Sequence, residues 1–499
     1  MRVAILYPPI HKKGRFPTLG QNRQFKFTNT PESFPPPIVP AYAATMLKED
    51  GHKVFWHDGI INRMPMDEYN KLLFDFNPEL VMIETKTPLV YRHWAYIENL
   101  KRNMDVRVVL VGDHVTWNPE ESMINSKADF VVASGDYDFA LRSICRHIED
   151  GADLPGGIWY REGGKIRNTG PSKLVEDLDA LPFIDWDLVG FNYHEAYLYR
   201  PTGYIMTGRG CGGGPRGVGC CSFCIWQQVF WRLKARLRSP AHVAEEIERM
   251  VEKYRFKEVF DDNESGASYN RKWLAEFYKE MKERGLVGEV TLSANARADN
   301  FDDETCELLK KTGFRLLKVG LESGSNETLA RLNKKETIEE IAAGIRNAKD
   351  HDLRVKITTM TGFPWESEED VQKTYNVTRQ LMLYKARFGD CLQSSVVIPY
   401  PGTPLYYQAL KNGWFAVDPY NYEEYDMSKP VLKCSYDAMA WCERIWKIHK
   451  DPVFVLRSAI SVHGFSDLKL AVIGLRSLRG HEEDQKWEKE ESNFSCASC

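Results

Sequence analysis

The residues with the clearest capacity for chemistry are four cysteines in one short stretch, Cys211, Cys220, Cys221 and Cys224, of the 11 in the chain. They lie in a glycine-rich loop that follows a β-like run, Gly203-Tyr204-Ile205-Met206-Thr207. Thiolates this close in sequence can converge on one metal centre. Three of them on a [4Fe–4S] cluster leave the fourth iron open to a small ligand. Cys221-Ser-Phe-Cys224 is a tight C-x-x-C clip, which makes Cys211, Cys221 and Cys224 the best triplet with Cys220 as the spare; Cys220 in place of Cys221 is the alternative. Structural zinc, the competing reading, usually takes two separated pairs, and no second pair stands nearby. A chance cluster is the third reading.

With these residues the chain resembles the radical S-adenosylmethionine (SAM) enzymes, whose cluster motif is usually C-x3-C-x2-C with an aromatic residue before the last cysteine. Phe223 fills the aromatic place, and the loop here reads C-x9-C-x2-C. The longer insertion is glycine-rich, and glycine tolerates positive φ, so it can loop out at little steric cost. The resemblance implies that an electron from the cluster cleaves SAM to methionine and a 5′-deoxyadenosyl radical.

The elements that position such a loop are legible as strand-like and helix-like segments alternating over residues 201–412. The expected strands are Tyr204–Thr207, Glu258–Phe260, Val290–Ser293, Leu317–Gly320, Lys356–Met360 and Ser394–Ile398, separated by amphipathic helices. Six β/α units suggest a partial (β/α)6 barrel of the TIM type, whose active site lies at the carboxyl ends of the strands. SAM needs acceptors for its ammonium and ribose hydroxyls, a cation for its carboxylate and exposed backbone for its adenine. Glu322, Ser323, Arg297 and the Gly362 turn can supply these. The ordered strand ends are similar to the radical SAM pattern throughout: Asp-Asp-Asn, Arg-x-Asp, Gly-x-Glu-Ser-Gly-Ser, Gly-x-Pro-x-Glu and Pro-Gly-Thr-Pro. That resemblance adds Phe223, Asp262 and Pro364 to the expected SAM site. Plainer roles stand beside these: Asp262 capping or pairing, Arg297 in a structural ion pair, and Glu366 as a helix N-terminal acid. Cys306 and Cys391 read as core residues.

Residues 1–155 carry five short apolar runs that alternate with helix-like segments: 3–7, 53–56, 80–83, 106–111 and 130–133. This reads as a doubly wound, Rossmann-like parallel sheet, with ligands beyond the strand ends. No G-x-G-x-x-G opens the first helix, which disfavours a nicotinamide cofactor. The order of pieces is similar to the cobalamin-binding domain that precedes the barrel in one radical SAM subclass. The resemblance implies cobalamin contacts from Pro8, Thr85, Thr87, Gly112, Asp113, His114, Thr116, Gly135 and Asp136. The D-x-H-x-x-G signature is absent, so it also implies a corrin with no histidine on its lower face. His114 is then either a corrin contact or a loop histidine bonded to backbone.

Residues 156–200 read as a hairpin and a Pro- and Asp-rich connector. Residues 413–499 read as an aromatic-rich, mostly helical region, and the resemblance implies that it closes the barrel mouth. Cys434 and Cys442 are too far apart for a clip. Cys496-Ala-Ser-Cys499 ends a charged stretch, 482–491, expected to be unstructured.

Composition bounds the reading. The 499 residues are 43% hydrophobic with a net charge of −4, which gives no electrostatic case for nucleic acid. No apolar run reaches the ~18 residues of a membrane span. The first residues are too short and strand-like for a signal peptide. A cytoplasmic protein with ligand or free-thiol cysteines is expected. The resemblance implies a cobalamin-dependent radical SAM enzyme, foremost a C-methyltransferase acting on an unactivated carbon. The alternatives are ring formation, oxidation or adenosyl addition on lipids or tetrapyrroles, and a non-catalytic carrier of both cofactors. The substrate is open: a small metabolite, a lipid, or a peptide or protein side chain such as glutamine. An external electron donor such as flavodoxin or ferredoxin is expected.

Overall fold

The computed structural model describes residues 1–499 except 21–24, 213–216, 218, 266–269 and 497–499, and the side chains of 485 and 487–496. Seven strands form the first sheet: β1 (Arg2–Tyr7), β2 (Lys53–Asp58), β3 (Leu80–Thr85), β4 (Arg107–Gly112), β5 (Phe130–Val132), β6 (Ile158–Glu162) and β7 (Lys165–Asn168). Their order is β7-β6-β5-β4-β3-β1-β2. The first five strands pair in parallel, and the hairpin β6–β7 adds antiparallel strands at the edge. Every residue of β3 is buried, as a strand covered by helices on both faces requires. The strand order reverses at β1 and β3, where Thr85 and Pro8 stand at the carboxyl ends.

Six strands form the second sheet: β8 (Thr202–Ile205), β9 (Glu258–Asp261), β10 (Thr291–Ala296), β11 (Phe314–Glu322), β12 (Arg354–Thr361) and β13 (Cys391–Val396). All pair in parallel, in chain order, and β8 is not hydrogen-bonded to β13. The sheet is thus an open array of six β/α units. Each expected strand is present within three residues of its expected ends. Helices return the chain between strands and are cut to length by local signals. The helix Pro240–Tyr254 starts on Ser239, whose side chain accepts from His242 N–H, with proline in the first turn. The helix Ile338–Asp350 starts on a Thr337/Glu340 capping box. One continuous apolar core runs through both sheets.

Three helices dominate the C-terminal region: Ala438–Trp446, Pro452–Ile460 and Phe465–Cys496. The last of these corrects the expectation of an unstructured charged stretch. Asp484 explains the difference. It is 2% exposed, pairs with Arg15 and Lys26, and accepts from Thr28 and Thr30. A tertiary anchor holds as helix a segment whose composition alone favours disorder. The Cys496-x-x-Cys499 pair falls outside the described side chains.

Candidate active site

The cysteine loop leaves β8 under firm control. Asp261, at the end of β9, accepts from the Thr207 amide at 3.0 Å and hydroxyl at 2.6 Å. Burial pushes its carboxyl up to about 6. Gly208–Arg209 then pairs antiparallel with Arg236–Leu237 and closes the base of the loop. Gly210 has φ +94, and a Cβ there would lie 1.9 Å from the Lys234 carbonyl oxygen, so only glycine fits. Glu264 accepts from Gly210 N–H and from the Trp231 indole, both at 2.7 Å, and fixes the loop from the β9 side.

Cys211, Cys221 and Cys224 line one cavity of about 200 Å³ at the carboxyl ends of the second sheet. Gln227 Oε1 accepts from Cys211 N–H at 2.8 Å, and the Gln228 amide donates to the carbonyls of Cys220 and Cys221. Cys224 N–H donates to Cys221 O at 3.2 Å and closes the C-x-x-C turn. Cys220 does not line the cavity; its sulfur faces Asn333 Nδ2 at 2.9 Å. Among the described residues, no three His, Cys, Asp or Glu side chains already surround a point where a single metal ion would sit. A [4Fe–4S] cluster does not require that, because each thiolate binds its own iron. Burial pushes the Cys221 thiol up to about 12, partly offset by Lys334, so it stays protonated at neutral pH unless a metal displaces the proton.

Four of the seven expected SAM residues line the same cavity: Phe223, Asp262, Arg297 and Glu322. Asp262 accepts from Asn295 Nδ2 at 3.0 Å. Arg297 sits 3.1 Å from Asp299 and 3.2 Å from Glu336. Glu322 faces Lys334 at 3.3 Å, and Lys334 also faces Glu336 at 3.3 Å. Acids and bases therefore alternate along one rim. Ser323, Gly362 and Pro364 are not among the lining residues. Ser323 is fully buried and donates to Glu366 Oε1 at 2.6 Å. Glu366 is also met by Tyr436 Oη at 3.1 Å, and Gly362 N–H donates to the same hydroxyl at 2.8 Å. These residues tie the strand ends to the C-terminal region, behind the cavity wall.

Several lining residues lie where reading strand ends alone does not look. Lys334 comes after a short helix, and Lys318 and Thr358 lie inside β11 and β12. Lys318 stands in register with Lys356. Lys356 is buried, lies 3.7 Å from the Tyr197 ring centroid, and is pushed down to about 8 by desolvation and then by Lys318. Inward alternation along β11 and β12 is the signal that would have found Lys318 and Thr358. Pro35 and Met427 bring the N-terminal and C-terminal segments to the same cavity.

The expected corrin residues gather at the carboxyl edge of the first sheet. Thr85, Thr87, Asp113 and His114 are buried there, and a Cβ on Gly112 would lie 1.9 Å from the Thr85 carbonyl oxygen. The His114 ring nitrogens face Thr87 at 3.4 Å and Glu121 at 3.2 Å, and Tyr422 packs 4.6 Å from its ring. Thr116 donates to Gly112 O at 2.7 Å. Beside Thr85, His93 is kept neutral by burial, with a pKa of about 3, and its Nε2 is buried without a partner. Asp136 has a different setting: Arg209 and Arg236 each approach it to 2.7 Å. Gly135 packs on Phe230 and Trp231, and Pro8 O accepts from Ile10 N–H at 2.7 Å.

Comparison with known proteins places these features in context. Residues 205–377 match the radical SAM superfamily. An uncharacterized methyltransferase of Pyrococcus horikoshii is 27% identical over 450 residues, covering 88% of this chain and 93% of that protein. An anaerobic magnesium-protoporphyrin IX monomethyl ester cyclase of Cereibacter sphaeroides is 25% identical over 449 residues, 87% of this chain and 67% of that one. Among solved structures, the radical SAM methyltransferase TsrM of Kitasatospora setae, with cobalamin and a [4Fe–4S] cluster bound, superposes with a TM-score of 0.65 at 16% identity, over 99% of both chains. The cobalamin-dependent radical SAM enzyme OxsB, with aqua-cobalamin and SAM bound, gives 0.64 at 14% identity, over 96% of this chain and 71% of that one. The architecture of this chain is the one these two enzymes share.

Proposed function

We propose, from the premise that residues 205–377 form a radical SAM domain, that this chain is a cobalamin-dependent radical SAM enzyme that methylates an unactivated carbon. The observation that carries the reading is the convergence of Cys211, Cys221 and Cys224 on a cavity rimmed by Arg297 and Glu322. The donor set fits the cluster: three thiols, with a fourth turned away toward Asn333. The edge of the first sheet fits a corrin: a glycine with no room for a side chain, and buried hydroxyls.

When bound, the reduced cluster supplies the electron that cleaves SAM, and the corrin carries the methyl group. The chain's own part is to position and enclose. Arg297 can hold the SAM carboxylate, and Glu322 its ammonium or a ribose hydroxyl, by charge-assisted hydrogen bonds. Lys334 orients Glu322, and Phe223 packs beside the cysteines. Thr85, Thr87, Asp113 and Thr116 would hold the corrin. Both His114 nitrogens are engaged, which supports a lower face without histidine. Asp136 and Gly135 act as struts to the cysteine loop. Pro35 and Met427 help shut the cavity from water.

The similarity to the ester cyclase supports a second reading, radical modification of a tetrapyrrole or lipid without methyl transfer. Anaerobic incubation of reconstituted enzyme with SAM, a low-potential reductant and candidate substrates separates the two. Methyl transfer yields 5′-deoxyadenosine and S-adenosylhomocysteine together; the second reading yields the first alone. Release of neither would remove both. In the cytoplasm, flavodoxin or ferredoxin is the proposed electron source.

A further inference from the structure

The last helix, Phe465–Cys496, exposes an apolar stripe whose direction is fixed, and the preceding helix, Pro452–Ile460, exposes apolar residues of its own. On the last helix Phe465, Leu468, Val472 and Leu475 are 72, 56, 51 and 63% exposed, and on the preceding one Leu456 and Ile460 are 62 and 68% exposed. Their spacing on the last helix, three, four and three residues, makes one continuous stripe. An amphipathic helix normally buries such a stripe against its own core.

The opposite side of that helix is the one that docks. Asp467 accepts from Tyr199 Oη, Leu470 is 4% exposed, His481 packs 4.4 Å from Trp446, and Asp484 is held by Arg15, Thr28 and Thr30. At 100° per residue these four fall in one half of the helical wheel, and the apolar stripe falls in the other. The helix is pinned at both ends of its docked face, so it cannot roll the stripe inward without breaking buried polar contacts.

Over residues 465–480 the open face carries Lys469, Arg476 and Arg479, all exposed, while Asp467 is on the docked face; the exposed Glu483 follows one turn further on. Two copies meeting here would set Lys469, Arg476 and Arg479 against their own counterparts, which is unfavourable. An anionic lipid surface satisfies both properties at once. Among the described residues no helix is long and apolar enough to cross a membrane, so the contact is with the surface. We propose that this face rests on an anionic bilayer, with the apolar stripe at the acyl boundary and the basic side chains at the phosphates.

The test is flotation of the full-length protein with vesicles, which needs no cofactor and is independent of the proposed activity. Phosphatidylcholine vesicles doped with phosphatidylglycerol should carry the protein up the gradient, and phosphatidylcholine alone should carry much less. Leu468→Ser/Val472→Ser/Leu475→Ser should abolish flotation with an unchanged unfolding midpoint, since all three side chains face solvent. Arg476→Gln/Arg479→Gln should lower binding about fivefold per residue, and added salt should weaken the wild type. If the triple variant unfolds, the charge variant and the salt series decide alone. Equal flotation of the charge variant, or none of the wild type on anionic vesicles, would overturn the proposal. So would a dimer of the wild type that the triple variant dissociates, because the face would then be a subunit interface.

Discussion

Arg209, where the cysteine loop begins, places a guanidinium nitrogen 2.7 Å from the carboxylate of Asp136, which follows β5 of the other sheet. The same guanidinium pairs with Asp138, and all three side chains are buried. The ion pair therefore connects the carboxyl edge of the first sheet to the cysteine loop. Removing the cation strands Asp138 in the core, where burial already raises its pKa. Arg209→Met should destabilise the protein by roughly 3–5 kcal/mol, and Arg209→Met/Asp138→Leu should recover a large part of that. Denaturant unfolding measures both, and equal stability of the single variant and the wild type would contradict the account.

The cysteines separate by what they face. Cys211→Ala, Cys221→Ala and Cys224→Ala should each lose the cluster and SAM cleavage. Cys220→Ala should keep most of both, because that sulfur is turned to Asn333 and away from the cavity. Iron content and 5′-deoxyadenosine yield read the outcome. Retention in Cys221→Ala with loss in Cys220→Ala would reverse the assignment.

Glu322 and Arg297 each sit in ion pairs that survive conservative change. Glu322→Gln leaves Lys334 with Glu336, and Arg297→Lys keeps a cation beside Asp299. Both variants should fold and load iron. SAM affinity should fall roughly 10- to 150-fold, the loss of a charge-assisted contact worth about 1.5–3 kcal/mol. Titration of SAM at constant iron content is the measurement; unchanged affinity in both would leave the pair as structural ions.

Lys356 makes stability depend on pH. Its folded pKa, about 8, lies below the ordinary 10.5 because burial disfavours the charged form. The unfolded chain thus holds more protons between pH 8 and 10.5, and stability rises with pH across that window. Below pH 8 the full cost is present, about 3 kcal/mol from the size of the shift. Lys356→Met should therefore be more stable than wild type at pH 7, with the advantage fading towards pH 10.5. A variant less stable than wild type at pH 7 would show that the Tyr197 contact outweighs the burial cost.

Much of the site was readable because its signals are local. The C-x-x-C clip needs only adjacent residues, and strand ends announce themselves by where apolar runs stop. Asp262, Arg297 and Glu322 were reached that way, and all line the cavity. Ser323 stays out of the cavity lining for a geometric reason. The register slips between Gly320 and Glu322, and Glu322 has φ +64, so the next side chain turns behind the wall toward Glu366. A bulge of this kind leaves no mark in composition. Lys334 was missed because it reaches the rim from a loop, beyond the short helix that follows β11. The helical state of the charged stretch 482–491 was missed because its anchor, Asp484, finds its partners at residues 15, 26, 28 and 30.

That anchor has a consequence for how the chain is made. Thr30 and Asp484 are 454 positions apart in sequence. At roughly 5–20 residues per second, Thr30 leaves the ribosome some 20–90 s before its partner exists. The first sheet is complete once Asn168 has emerged, and the segment around residues 15–30 still lacks its Asp484 clasp then. The clasp closes last, so native assembly of the amino-terminal segment is scheduled by the carboxyl-terminal helix.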